Sequence, residues 1–139
     1  MVARLLEAGF SLTLWNRTPA KAQAFSGRAR LASSPAEAIA GADVVITMLE
    51  SGQVVDQVLY QSGAIRQLRQ GALGSDLSLY RGGLARGGAA QVEALGGGYL
   101  DAPVSGGTRG AQAGTLSIMA GGSDETFVRA AAVFQPLGT

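Results

Sequence analysis

Asp43-Val44-Val45-Ile46-Thr47-Met48-Leu49 is the stretch whose reading decides the fold. Its β-branched residues run almost without interruption and leave no polar face for water. Such a segment reads as a strand covered on both sides, the habit of parallel sheets. Its flanks agree. Ser34-Pro35-Ala36-Glu37 has the form of a capping box with proline at the first helical position, and Gly41 ends the short helix it begins. Val54, Val55, Val58 and Leu59 mark a helix on the other side.

The same alternation extends outward in both directions. Val2, Leu5 and Leu6 stand at helical spacing, with Gly9 as a C-terminal cap. Residues 10–15 (FSLTLW) read as a strand, Thr18-Pro19 opens a helix, and residues 29–32 form a short strand. Beyond the central stretch come a strand at 72–78, a helix at 84–95, and strands at 98–102 and 115–120. Ser123 caps a last helix through Phe134, with Asp124 and Glu125 in its first turn. Strands and helices alternating on short connectors predict a doubly wound α/β sheet. One stretch is biased: between Gly71 and Gly98, 9 of 28 residues are glycine. Gly82, Gly83, Gly87 and Gly88 fall in or beside the expected helix, and each glycine within it costs about 1 kcal/mol relative to alanine. That helix is expected to be weak.

Composition removes whole classes of chemistry. The 139 residues include no histidine, no cysteine and one lysine, Lys21, so triads, ordinary zinc sites and thiol redox reactions are excluded. A net charge of +1 with scattered arginines gives no footprint for nucleic acid. The longest apolar runs are too short to span a bilayer, and the N-terminus lacks a leader's long apolar stretch. A cytoplasmic protein of one domain, with 47% hydrophobic residues to build its core, is expected.

Two constellations could carry chemistry. Asn16-Arg17-Thr18 ends a strand, where α/β sheets bind ligands, and a guanidinium there pairs with a ribose 2′-phosphate. The tripeptide alone fits a turn with a solvated arginine better. Ser105-Gly106-Gly107, inside Asp101-Ala102-Pro103-Val104-Ser105-Gly106-Gly107-Thr108-Arg109-Gly110, lets backbone N–H groups crowd around a small carboxylate. Glu50, Asp76 and Asp101 also lie near strand ends, but their spacing matches no metal loop, and no metal is expected.

Taken together, DAPVSGGTRGAQAGTLSIMAGG, WNRT and ADVVITML resemble the β-hydroxyacid dehydrogenase family, whose N-terminal domain is shared with 6-phosphogluconate dehydrogenase. The likeness runs the length of the chain. It implies a Rossmann-like, mostly parallel sheet and an oxidoreductase that interconverts a small 3-hydroxy acid and its semialdehyde. NADP is the implied cofactor in preference to NAD, on the strength of Arg17. By the resemblance, Asn16, Arg17 and Thr18 receive the adenosine phosphate, Met48 and Leu49 touch the cofactor, and Ser78 lies by the nicotinamide ribose. Ser105, Gly106 and Gly107 then hold the substrate, with Ser105 orienting it for catalysis.

The departures are specific. The family's first strand and G-x-G-x-x-G loop have no counterpart, because the chain opens just after them. Its general-acid lysine and C-terminal helical domain, through which the parent protein would form a homo-oligomer, would follow residue 139. Lys21 sits on the adenosine side and cannot replace that lysine. Glu50 stands where the family has proline, Leu79 where it has threonine, and Gly74-Ser75 where it has an apolar pair. Residues 1–139 are therefore expected to be a partial NADP-binding domain, unstable and inactive alone. The alternative is a decayed, non-catalytic nucleotide-binding module.

Overall fold

The computed structural model describes residues 1–78 and 83–139, with side chains described again from Gly88 onward. Leu79 and Gly82 lie outside the described residues. Helix α1 (Val2–Glu7) leads into β1 (Thr13–Leu14), α2 (Pro19–Gln23), β2 (Arg30–Leu31) and α3 (Pro35–Ile39). Strand β3 (Val44–Thr47) follows. Helix α4 (Gly52–Val55) runs on as a π-helical stretch (Asp56–Gln61), and a 3₁₀ turn (Ala64–Gln67) precedes β4 (Leu73–Asp76). Helix α5 (Gly83–Ala94), β5 (Gly98–Asp101), β6 (Val104–Ser105), α6 (Gly107–Ala113), β7 (Ser117–Ile118) and α7 (Asp124–Phe134) complete the order.

Strands β3, β4 and β5 form one parallel sheet with β4 in the middle, and β1 pairs with β2 in a second, also parallel. Among the described residues no ladder joins the two groups. In a doubly wound order the break falls between β1 and β3, where the resemblance places the family's first strand. The third pair, β6 with β7, is antiparallel. Only β7 was anticipated from sequence; the two-residue partner β6 was not.

The central stretch is apolar on both faces, as expected. Val44 and Ile46 pack against a cluster built on Leu73, Leu100, Leu116 and Phe134, whereas Val45 packs against Ile39, Leu59, Ile65 and Val92 on the opposite face. Its burial differs from the expectation. Residues 44–46 are half-buried, while all four residues of β4 are buried. Strand β3 has a partner on one edge only, so it lacks the cover that β4 receives from both neighbours.

Local signals place the helices. Ser34 Oγ accepts from Glu37 N, as the capping box predicts, but the Glu37 carboxylate turns to Ser33 rather than to the cap residue's own amide. Ser51 and Ser123 cap α4 and α7 in the same manner. The expected strand at 10–15 contracts to two paired residues. One glycine in α5 has a packing reason: a Cβ on Gly88 would lie 2.5 Å from the Tyr60 hydroxyl oxygen. The missing side chain lets the π-helical stretch seat its tyrosine on α5, against the intrinsic cost of glycine in a helix.

Candidate functional site

The C-terminal ends of the parallel strands gather the candidate residues, with β1 ending before Asn16-Arg17-Thr18. Asn16 Oδ1 accepts from Thr18 N at 2.8 Å, a local turn that leaves the Arg17 side chain exposed. Strand β3 ends before Met48 and Leu49, and Met48 is 51% exposed. Ser78 lies two residues past β4 and is buried.

Hydrogen bonds join these ends. Leu49 N donates to Ser78 Oγ at 2.8 Å, tying two of the cofactor candidates together. Beneath them, Asp76 Oδ1 accepts from Thr47 Oγ1 at 2.8 Å and from Ser78 N at 3.0 Å. Thr47, Asp76 and Ser78 are all buried, so this carboxylate holds both strand ends from below. Across the break in pairing, Arg17 Nη2 donates to Glu50 Oε1 at 3.0 Å, with both side chains exposed.

Sequence reasoning missed Thr47 and Asp76 as organising residues. The signal available was a hydroxyl and a carboxylate near adjacent strand ends; what sequence lacked was the register pairing Thr47 with Asp76 and Asp76 with Asp101. Burial, and secondarily the charge of Asp76, push the Asp101 carboxyl above the usual carboxylate range. On the other side of Asp76, burial raises the Tyr60 hydroxyl, with smaller contributions from Tyr99, Asp76 and Asp56. Among the described residues no cluster of acidic side chains could hold a metal ion.

Ser105-Gly106-Gly107 follows β5 by way of Ala102 and Pro103, so it belongs to the same end of the sheet. All three residues are exposed. Gly106 and Gly107 adopt φ of 134° and 61°, which a side chain would resist, and the Cβ missing from Gly106 would press on Leu116 at 3.2 Å. Among the described residues no hydrogen bond joins this segment to Arg17, Leu49 or Ser78. Lys21 occupies the last turn of α2, beyond Asn16-Arg17-Thr18, and is exposed.

Residues 1–139 match the NAD binding domain of 6-phosphogluconate dehydrogenase. A solved structure of 3-hydroxyisobutyrate dehydrogenase from Mycobacterium tuberculosis, with L-serine, superposes at a TM-score of 0.91, with 37% identity over 98% of this chain. The chain belongs to the β-hydroxyacid dehydrogenase family. The family assignment brings a Rossmann-like NAD(P)-binding domain. A relative, the NAD-dependent L-serine dehydrogenase of Pseudomonas aeruginosa, is 36% identical over 99% of the chain. An imine reductase from Myxococcus stipitatus in complex with NADP+ has a TM-score of 0.85 at 28% identity over 99% of the chain. The chain spans less than half the length of each: 46%, 47% and 49%, in the order given. Among the described residues no helix is long and apolar enough to cross a membrane.

Proposed function

We propose that this chain supplies the cofactor side of an oxidoreductase that interconverts a small 3-hydroxy acid and its semialdehyde with NADP(H). The observation that carries the reading is the linkage of Arg17, Leu49 and Ser78 along one end of the parallel strands, through Glu50 and Asp76. The side chains suit a dinucleotide: an exposed guanidinium for an anionic group at one end, and the Ser78 hydroxyl fixed at the other. Asn16, Arg17 and Thr18 would hold the adenosine phosphate, Met48 and Leu49 would touch the cofactor, and Ser78 would lie by the nicotinamide ribose. When bound, the nicotinamide supplies hydride donation or acceptance.

The chain's own contribution is orientation. The Asn16 turn presents Arg17, Asp76 holds Ser78 N, and Ser78 Oγ in turn holds Leu49 N, so the contacts are set before a ligand arrives. Ser105 Oγ and the amides of Gly106 and Gly107 would hold the substrate carboxylate. Lys21 stands on the adenosine side, so we assign the proton donor to a group outside these 139 residues.

The single tryptophan, Trp15, adjoins the turn and reports binding by fluorescence. Arg17→Ala should weaken NADP+ binding by about tenfold or more and leave NAD+ nearly unchanged. Equal NADP+ binding by the two proteins would remove Arg17 from the site. Aldehyde-dependent NADPH oxidation by the 139-residue chain should be undetectable, and turnover at the rate of a full-length relative would refute an outside proton donor.

A further inference from the structure

We propose that Glu50 sets the choice between adenine dinucleotides, by occupying Arg17 and standing where a ribose 2′-phosphate has to dock. The inference rests on the reading that the ends of β1 and β3 receive the adenosine half of the cofactor. Arg17 and Glu50 are 33 positions apart, on loops that follow different sheets. Nothing local turns them toward each other: Glu50 is exposed, and the Asn16 turn is closed without it. Their 3.0 Å contact is the hydrogen bond that bridges the two loops.

Two opposite preferences follow from one pair of side chains. A 2′-phosphate is drawn to the guanidinium, which has five N–H donors and can accept it beside a carboxylate. That phosphate then lies within a few ångströms of the Glu50 charge, and the repulsion subtracts from the attraction. A ribose bearing a free 2′-hydroxyl avoids the repulsion and can donate to the same carboxylate, as it does to the acidic residue that ends the second strand in NAD-selecting dinucleotide folds. Arg17 favours one cofactor and Glu50 the other, so the wild-type chain discriminates between them by less than about tenfold. Exposure of both groups keeps each effect modest and sensitive to salt.

The test uses the 139-residue chain and two probes that differ only in the group at issue, 2′,5′-ADP and 5′-AMP, with Trp15 fluorescence as the readout. Glu50→Gln should tighten 2′,5′-ADP by about three- to tenfold while leaving 5′-AMP unchanged or weaker, and the gain should shrink as salt rises. Arg17→Gln should move the ratio in the opposite direction. A purely structural role for Glu50 would shift both probes together, and that result overturns the inference. So does an unchanged ratio in either variant. Wild-type binding of neither probe would overturn the cofactor reading itself, and the inference with it.

Discussion

The two parallel groups of strands contrast in how they are held. Strand β4 is buried along its whole length and bonded on both sides, and the carboxylate at its end ties neighbouring backbone and hydroxyl groups together. Strands β1 and β2 pair over two residues, alternate between exposed and half-buried positions, and reach across to the loop after β3 through an exposed ion pair. The candidate site straddles both. In the proposed reading its nicotinamide side would rest on a fixed floor and its adenosine side on a short, wet edge. Precision is therefore available where chemistry would occur, and adaptability where only the cofactor's tail is read.

Substitutions can break this contrast directly. Leu73→Ala should cost about 3 kcal/mol and Leu14→Ala about 1 kcal/mol in urea unfolding, because one side chain is fully enclosed and the other half-exposed. Equal costs would mean that the two groups are equally well packed. Asp76→Ala leaves Ser78 N and Thr47 Oγ1 without their acceptor in a buried setting, for an expected loss of about 2 kcal/mol; Asp76→Asn should recover part of it.

Ser75 sharpens the comparison from the opposite direction. Its hydroxyl is buried, has no hydrogen-bond partner among the described residues, and lies next to a cavity of about 10 Å³. Ser75→Ala should stabilise the chain by about 1 kcal/mol, and a loss of similar size would reveal a partner for that hydroxyl.

Titration adds a smaller effect with a definite sign. The folded chain raises the Asp101 carboxyl, so it binds that proton more tightly than the unfolded chain does. Stability from this group is complete below the ordinary carboxylate range and declines as pH rises through the raised value. Asp101→Asn should flatten that slope in a pH series of melting midpoints. Least of all, Arg17→Ala should move stability by less than about 0.5 kcal/mol, since an exposed ion pair contributes little to folding.

What the sequence disclosed followed a physical boundary. The two-sided character of Val44, Val45 and Ile46, the serine caps and the alternation of elements are local patterns, and each was legible. The half-burial of β3 was not, because it depends on which strand lies alongside. Strand β6 was missed since two residues carry no periodicity. The Thr47–Asp76 bond spans 29 positions and the Arg17–Glu50 pair 33, so only the assembled sheet puts these partners together. The segment Asp101-Ala102-Pro103-Val104-Ser105-Gly106-Gly107 was the reverse case, a pattern legible in its residues without any geometry.

The unequal sheet also dictates how the molecule meets solvent over time. In deuterated water the amides of β1 and β2 sit within a few residues of open surface and would take up label early. Those of Leu77 and Ala102, bonded to Thr47 and Asp76 carbonyls within the three-stranded sheet, would be among the last. A cofactor seated across both groups would slow exchange mainly at its adenosine end, so the isotope record would register the ligand where the protein is softest.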